Sequence, residues 1–365
     1  MATRVCSFSK INLGLAIGPT RPDGYHGLTT LYQTLALHDV VSVTAKPAPT
    51  TRLELTTNHR HVPTDGRNTA WKMVERCLVK LGVTAEVAIH IEKNLPVQGG
   101  MGAGSANAAA ALLGLERELG IALDEAERLA VAAEVGSDVP LFLIGGAVLG
   151  VGRGEIVTPM SDLAAIPCVI AIPEIGVSTP AAFRDWDALA VRPQPGTLTG
   201  TKKGDRLEEL SLAYSAWSTK ASMVESDTSG IAQHDLPQLA SSRDLGKKQG
   251  SSDLNQDGIL SNLAENALLA LVRTGIGTDL QNNFEAVVFP QYPSLRETKR
   301  HLMGNDSGSP ALYAALSGSG SALFGLYRSI ADARAAQQRV QASGVRALLT
   351  STLPRTEYWR RMFAG

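Results

Sequence analysis

Cysteine is scarce in this 365-residue chain, and its three cysteines form no motif. Cys6, Cys77 and Cys168 are odd in number, widely spaced and outside any C-x-x-C pattern. Such spacing favours neither a disulfide framework nor a zinc site. Residues 1–10 also lack the basic start and apolar run of a secretory signal. We therefore expect a cytoplasmic protein.

An excess of charge of either sign is absent too. The 34 Lys and Arg residues balance 35 Asp and Glu residues, which gives a formal net charge of -1. This balance argues against charge-driven binding to nucleic acid or to an anionic membrane surface. The longest apolar stretch, residues 139–151, contains Gly145 and Gly146 and is shorter than a membrane-spanning helix. We expect no nucleic-acid or membrane partner, and the sequence leaves the oligomeric state open.

Aromatic residues make up only 5% of the chain, although hydrophobic residues make up 44%. Ala, Leu and Val must therefore fill most of the core. A chain of this length and composition is expected to be globular, and its length favours two packed domains over one.

Periodicity predicts alternating strands and helices in the first half of the chain. Strands are expected at residues 11–17, 40–44 and 87–92. The helix predicted at residues 105–119 has Ser105 as a candidate N-cap and Gly120 as its stop. Asp124 and Glu127 form an acidic capping box for the next helix, which runs through residue 134 and stops at Gly136.

The second half combines predicted helices and strands with one polar segment. Residues 192–258 are rich in Ser, Gly, Lys, Asp and Gln, and we expect a mobile insertion that carries one helix at 206–217. Further helices are predicted at 264–272 and 330–342, and strands at 322–327 and 345–350. These elements predict an α+β second domain.

The densest local signal is the glycine-rich segment PVQGGMGAGSAN at residues 96–107. Glycines let the backbone approach a ligand closely, and a helix N-terminus offers unpaired N–H groups to an anion. A phosphate chain would fit there, although a turn of small residues between two packed elements would give the same cluster. Ser105 occupies the lysine position of a Walker loop, and the dinucleotide and protein-kinase fingerprints are also absent.

Phosphoryl transfer also requires a cation and a base, and Lys10 and Asp138 are the candidates. Lys10 and Asn12 are two residues apart on a predicted strand, so their side chains share one face. Taken singly, Lys10 could be a solvated cation at a strand end and Asn12 a turn former. Asp138 could be the N-cap of a short helix.

Three separated motifs together resemble the GHMP kinases, small-molecule kinases named for galactose, homoserine, mevalonate and phosphomevalonate. The motifs are KINL at 10–13, the loop at 96–107 and LSGSGSA at 316–322. The resemblance implies an α+β, two-domain GHMP kinase fold with its active site between the domains. A ribosomal-protein-S5-like ATP-binding domain would span 1–160, and a ferredoxin-like domain would span 161–365 with the insertion at about 192–258.

Further motifs are similar to those of one group of GHMP kinases. This group phosphorylates the 2-hydroxyl of a cytidine diphosphate-linked methylerythritol, in the non-mevalonate (methylerythritol phosphate) route to isoprenoids, including terpenoids. These motifs are RPDGYH at 21–26, GSDVP at 136–140, GRGE at 152–155, STP at 178–180 and NFE at 283–285. The resemblance implies ATP as the co-substrate and Mg²⁺ as the metal.

The resemblance also implies roles for individual residues. Asp138 would be the catalytic base, and Lys10 would keep it ionised and offset phosphoryl charge. Asn12 and Thr179 would help to hold the acceptor. Tyr25 and Phe183 would lie on either side of its cytosine, and His26 would lie at the edge of that ring. The implied ATP-binding residues are Asn68, Lys93, Pro96, Gly99, Gly100, Met101, Gly102, Ala103, Gly104 and Ser105, of which Ser105 could also approach the magnesium ion.

The sequence departs from the family pattern at two points, and two other functions are compatible with it. Ala103 and Ala106 replace residues that are commonly Gly and Ser, and a methyl group at 103 fits only if φ there is negative. No second acidic magnesium ligand is evident, and Lys93 could be a solvated strand-end lysine instead of a nucleotide contact. The rivals are a GHMP kinase for another alcohol, such as homoserine or mevalonate, and a catalytically silent nucleotide-binding module whose mobile insert recruits a protein.

Overall fold

A computed structural model describes residues 2–97, 99–162, 164–191, 281–305 and 308–363. The strands in these ranges are β1 Thr3–Thr20, β2 His26–Pro47, β3 Arg52–Thr57, β4 Ala85–Glu92, β5 Ala147–Gly152, β6 Ile156–Pro159, β7 Pro167–Ile172, β8 Tyr313–Leu316, β9 Leu323–Leu326 and β10 Arg346–Ser351. The helices are α1 Thr69–Leu81, α2 Ala103–Leu119, α3 Glu125–Val135, α4 Thr179–Val191, α5 Glu285–Gln291, α6 Pro293–Met303, α7 Ile330–Ala342 and α8 Arg355–Met362, with a 3₁₀ helix at Pro140–Leu143.

The first sheet has the strand order β3-β4-β2-β5-β6, with β1 paired to β2. Strand β4 shows how the sheet meets its helices, because its alternate residues are buried and the others are not. The buried set belongs to the core formed with helices α1, α2 and α3 and comprises Ala85, Val87, Ile89 and Ile91. This helix layer places the N-terminus of α2 beside β1.

Helix α2 packs unusually close to the sheet because of its small residues. Seven consecutive positions from Ala106 to Leu112 are buried, and five of them are Ala. A side chain at Gly114 would bring its Cβ within 2.7 Å of Val43 Cγ2. The small residues of α2 therefore let its backbone lie against the side chains of the sheet, without large aromatic side chains between them.

The second sheet has the order β10-β7-β9-β8, and all its pairings are antiparallel. Numbered along the chain, this order is 4-1-3-2, the arrangement of a ferredoxin-like sheet. Helices α5, α6 and α7 contribute to the core cluster on this sheet. The predicted α+β fold class is confirmed.

A separate hydrophobic cluster joins the two sheets. Ile11 and Leu35 of the first sheet share it with Ile170 and Phe324 of the second. The last helix packs against the first strand: the rings of Tyr358 in α8 and Phe8 in β1 have centroids 5.2 Å apart. None of the helices in the described ranges is long and apolar enough to cross a bilayer.

Most predicted elements are confirmed, but the start of α2 is not. The predicted strand 87–92 lies within β4, and the helix 330–342 matches α7. Helix α2 starts two residues before Ser105, and its N-cap is Gly102, at φ 69°, without a side-chain capping bond. The Asp124–Glu127 capping box is present.

The other predicted strands agree in position but differ in length. Strands 11–17 and 40–44 are segments of the longer strands β1 and β2, and 322–327 and 345–350 overlap β9 and β10. The expected insertion at 192–258, with its helix at 206–217, and the helix at 264–272 lie outside the described residues. The division into domains at residue 160 stays a prediction.

Candidate active site

Lys10 and Asp138 meet although 128 positions separate them in the chain. Lys10 Nζ lies 3.2 Å from Asp138 Oδ2, and it donates a hydrogen bond of 2.7 Å to Asn12 Oδ1. Only 3% of the Lys10 side chain is exposed, so it is not a solvated cation. Asp138 is not a helix cap either, because Val139 is the N-cap of the 3₁₀ helix and makes no side-chain capping bond.

The strand pairing orients Asn12 toward Lys10. Its amide Nδ2 donates to Thr30 Oγ1 at 2.8 Å, and Thr30 Oγ1 in turn donates to the Gly14 carbonyl at 2.8 Å. Asn12 Oδ1 is then left to accept from Lys10. The interpretation of Asn12 as a turn former is wrong, because it lies inside β1.

Tyr32 is the second partner of Asp138. The register of β1 and β2 places Tyr32 opposite Asn12, and Tyr32 Oη donates to Asp138 Oδ1 at 3.0 Å. Burial, and then the negative charge of Asp138, raises the pKa of Tyr32 well above its usual value, so the phenol remains a donor. Two glycines make room for it: a Cβ at Gly150 or at Gly154 would lie 2.5 Å from the Tyr32 side chain.

Hydrogen bonds tie the glycine-rich loop to both other motifs, KINL at 10–13 and LSGSGSA at 316–322. The Lys10 backbone N–H donates to the Met101 carbonyl at 3.0 Å, which ties the loop to β1. Ser317 Oγ donates to the Gly100 carbonyl at 3.0 Å, which ties it to the segment 316–322. Gly100 has φ 72°, and a Cβ there would lie 2.3 Å from the Ser317 carbonyl oxygen. The three motifs therefore converge on one place.

The loop forms one wall of a cavity of about 370 Å³. The first turn of α2 faces this cavity, and its N–H groups and helix dipole favour an anion. The predicted nucleotide-side residues that line it are Asn68, Lys93, Pro96, Gly99, Gly100, Met101, Gly102, Ala103, Gly104 and Ser105. Ala103 is the first residue of α2, where φ is negative, so its methyl group is compatible with this conformation.

Two of these residues also have clear structural roles. Asn68 is the N-cap of α1, where its Oδ1 accepts from the Ala70 N–H at 2.9 Å. Lys93 is buried and paired with the equally buried Asp39 at 2.5 Å, so it is not a solvated lysine. Asp39 Oδ1 also accepts from the N–H groups of Asn94 and Leu95, both at 2.8 Å. This carboxylate therefore fixes the chain where it enters the glycine-rich loop.

A second cavity, of about 540 Å³, contains the Lys10–Asp138 pair. The predicted acceptor-side residues all line it, namely Asn12, Tyr25, His26, Thr179 and Phe183. Gly100 and Gly102 line both cavities. The two cavities therefore meet at the glycine-rich loop, next to the carboxylate.

The aromatic residues of this cavity form two groups. The His26 and Phe183 rings stack with centroids 4.9 Å apart and planes 12° apart, and His26 Nε2 lies 2.8 Å from Asp187 Oδ1. Tyr25 is 57% exposed and lies under the guanidinium of Arg153, at 4.9 Å from its ring centroid. The His26 ring covers one face of Phe183, and the Arg153 guanidinium covers one face of Tyr25. The remaining aromatic faces and the polar edges would suit a planar, polar ring.

Sequence reasoning missed Tyr32, Asp39, Arg153 and Asp187. Arg153 lies in the GRGE motif, which carried no assigned role. Asp187 follows Phe183 by four positions on α4, so the helical period alone places the two on one face. Tyr32 and Asp39 gave no signal, because β2 is an ordinary apolar strand in sequence and the partners of both side chains come from distant segments.

Comparison with known proteins agrees with this arrangement. The model for the N-terminal domain of GHMP kinases matches residues 68–146, and the model for their C-terminal domain matches residues 261–346. A Synechococcus protein (strain JA-2-3B'a(2-13)) named 4-diphosphocytidyl-2-C-methyl-D-erythritol kinase is 31% identical over 358 residues, which cover 98% of this chain and 92% of that protein. The chain belongs to the GHMP kinase family.

Other members of the GHMP kinase family are similar over different lengths. A kinase with the same name from Rhodococcus jostii (strain RHA1) is 43% identical over 195 residues, 53% of this chain and 61% of that protein. The chain thus spans about three fifths of this relative's length. The crystal structure of a 4-(cytidine 5'-diphospho)-2C-methyl-D-erythritol kinase superposes with a TM-score of 0.59 at 25% identity, covering 96% of this chain and 98% of that one. A homoserine kinase from Cytophaga hutchinsonii has the same TM-score at 17% identity, which indicates a shared fold.

Proposed function

We propose that this GHMP kinase transfers the γ-phosphoryl group of ATP to the 2-hydroxyl of 4-diphosphocytidyl-2-C-methyl-D-erythritol, in the methylerythritol phosphate route of isoprenoid biosynthesis. One observation carries the proposal. A single cavity contains the Lys10–Asp138 pair together with Tyr25, His26 and Phe183, and it meets the cavity of the glycine-rich loop. An acceptor without a planar base would have no use for the aromatic group.

In the proposed reaction, the acceptor hydroxyl oxygen bonds to the γ-phosphorus as the bond to the β–γ bridging oxygen breaks, and ADP leaves. Asp138 accepts the hydroxyl proton. Lys10 offsets the negative charge that spreads over the phosphoryl oxygens, and it has lost most of its contact with water. The N–H groups of the loop and of the first turn of α2 hold the phosphate chain in place.

The metal proposed for the site is Mg²⁺, which neutralises phosphate charge when it is bound. Ser105 lies in the first turn of α2 and lines the nucleotide cavity, which supports assigning its hydroxyl to such an ion. No Asp or Glu is among the described residues that line this cavity. Nucleotide phosphates and water would therefore supply most of the ligands, as is usual for Mg²⁺.

The remaining assignments follow from the same cavities. We assign Asn12 and Thr179 to the acceptor, Tyr25 and Phe183 to the two faces of its cytosine, and His26 to the edge of that ring. Asn68 and Lys93 are assigned to the nucleotide, because both line the cavity of the glycine-rich loop. We place the reaction in the cytoplasm.

The proposal is tested by giving the purified full-length chain ATP, Mg²⁺ and one acceptor at a time. The acceptors are the cytidine diphosphate-linked methylerythritol, homoserine and mevalonate, and ADP release and the phosphorylated product are both measured. We expect turnover with the cytidine compound alone. Phosphorylation of homoserine or mevalonate instead would replace the proposed acceptor. ATP binding without turnover on any of them would indicate a silent nucleotide-binding module.

A further inference from the structure

We propose that Arg153 binds the diphosphate group of the acceptor, so that this cavity recognises a pyrimidine nucleoside diphosphate ester through its phosphates as well as its base. The inference rests on the proposed function, which it deepens by assigning a phosphate-binding residue in the acceptor cavity. That residue is distinct from the glycine-rich loop, which faces the nucleotide.

The acceptor cavity contains few positively charged side chains among the described residues. A diphosphate ester brings two negatively charged phosphates into the cavity, and Lys10 is already paired with Asp138 and bonded to Asn12. Two other cationic side chains are found among the described residues that line the cavity, Arg153 and Arg184. An arginine supplies both positive charge and the forked donor geometry that binds phosphate.

Among the described residues, Arg153 has contacts that hold it in position and Arg184 has none. The Arg153 guanidinium lies over the Tyr25 ring at 4.9 Å, and its Nε is 3.5 Å from Glu155 Oε1. The side chain is 32% exposed, so its terminal nitrogens can still reach a ligand. Within the described part of the chain, the two Nη groups form no hydrogen bond, which leaves a fork suited to bidentate contact with phosphate. Arg184 is exposed and has no comparable fixing contact to a described residue.

The position of Arg153 also suits a diphosphate. Its guanidinium contacts Tyr25, the proposed base clamp. Its chain neighbour Gly154 lies against Tyr32, whose Oη donates to Asp138, because a Cβ at Gly154 would be 2.5 Å from that Oη. Arg153 therefore lines the same cavity as the ring that would hold the base and the carboxylate that would meet the hydroxyl. In a nucleoside diphosphate ester, the diphosphate joins those two parts.

The test compares cytidine, CMP and CDP as ligands in isothermal titration calorimetry. The nucleotide cavity is first filled with a saturating ATP analogue that carries a β,γ-imido bridge, so that CDP cannot bind there. The readout is the ratio of the cytidine dissociation constant to the CDP dissociation constant. Both ligands share the base and ribose, so any change in the Tyr25 clamp cancels in this ratio.

We expect the wild-type chain to bind CDP about tenfold or more tightly than cytidine, the scale of one charge-assisted contact. Arg153→Gln should lower that ratio by about tenfold, and Arg153→Lys, which retains the charge but not the fork, should give an intermediate ratio. In turnover, Arg153→Gln should raise KM for the acceptor and leave KM for ATP unchanged.

Two variants provide the controls. Arg21→Gln removes a positive charge from the turn between β1 and β2, which also carries Tyr25. Arg21 pairs with Asp23 and does not line the cavity, so the ratio should stay at the wild-type value. Arg184→Gln removes the competing arginine and should have a smaller effect than Arg153→Gln.

The possible outcomes separate this inference from the proposed function. An unchanged ratio in Arg153→Gln, or an equal loss in Arg21→Gln, overturns the role of Arg153. A loss confined to Arg184→Gln moves the contact to that residue and also overturns the inference. If the wild-type chain binds neither cytidine nor CDP, the proposed acceptor itself is wrong.

Discussion

At the scale of single residues, the Asp138 carboxylate is fixed by two contacts, one to the Lys10 ammonium and one to the Tyr32 phenol. An amide in its place retains the shape but cannot accept a proton from the acceptor. We expect Asp138→Asn to lower kcat by roughly two or more powers of ten, the scale of a lost acid–base group, with ATP binding largely intact. Steady-state turnover and the ATP dissociation constant check this.

Glu297→Gln is the matched control for the loss of one carboxylate. Glu297 is exposed on α6, pairs with Arg300 and is absent from the linings of both cavities. Its turnover should equal that of the wild-type chain. Near-normal turnover in Asp138→Asn would exclude this residue as the base.

Tyr25 is the most exposed of the aromatic residues in the acceptor cavity, so its role in binding can be separated from a role in folding. If its ring stacks on cytosine, Tyr25→Ala should weaken acceptor binding by about 1 to 3 kcal/mol, as for other base–aromatic contacts. Tyr25→Phe retains the ring face and should retain most of the affinity. An unchanged acceptor dissociation constant in Tyr25→Ala would remove the cytosine assignment.

At the scale of elements, helix α2 has a glycine as its N-cap and another as its C-cap, and the two have nearly the same left-handed conformation. Gly102 has φ 69° and Gly120 has φ 67°, but their surroundings differ. A Cβ at Gly102 would lie 2.9 Å from Phe142 Cζ and 3.1 Å from Lys10 Cγ, whereas a Cβ at Gly120 would meet no atom within 4 Å. The two positions therefore separate backbone strain from steric displacement of Lys10.

Gly120→Ala should cost about 1 to 2 kcal/mol of folding free energy, the cost of a left-handed alanine, and leave turnover unchanged. Gly102→Ala should cost more and also lower kcat, because the methyl group displaces Lys10. Urea unfolding and steady-state kinetics measure both effects. Equal turnover in the two folded variants would contradict the close contact between the loop and Lys10.

The prediction of Ser105 as the N-cap of α2 was wrong for a physical reason. A serine cap would have satisfied N–H groups of the first turn with its own hydroxyl. With Gly102 as the N-cap, no side chain makes that bond, and the N–H groups remain available to a ligand. Capping rules assume that a side chain satisfies these N–H groups, so they fail where an uncapped helix N-terminus lines a cavity.

At the scale of the whole molecule, the buried thiols limit stability at high pH. Burial, and secondarily the charge of Glu116, raises the pKa of Cys77 from an ordinary 9.0 to about 12. The unfolded chain therefore loses this proton from about pH 9, while the folded chain retains it up to about pH 12. Because the folded state binds the proton more tightly, stability falls as pH rises through this interval.

We expect the urea midpoint of the wild-type chain to fall between pH 9 and pH 11, and to fall less in Cys77→Ala. The difference between the two midpoints at pH 7 measures the packing cost of the substitution and serves as the reference. Other buried groups that titrate in this range contribute equally to both proteins. Parallel curves for the two proteins would show that Cys77 does not ionise on unfolding.

The sequence by itself determined much of the molecule, because local periodicity, capping and glycine chemistry act over a few residues. It predicted the α+β class, most elements and the capping box at Asp124 and Glu127. Its motifs also named Lys10 and Asp138, which the fold brings to 3.2 Å.

Only the tertiary structure decided which groups surround that pair. Tyr32 meets Asp138 through the register of β1 with β2, and Asp39 meets Lys93 across 54 positions. Arg153 lies over Tyr25 because β5 pairs with the start of β2, next to the turn between β1 and β2. Such contacts depend on strand register and on how distant segments pack, and no local pattern of residues encodes either.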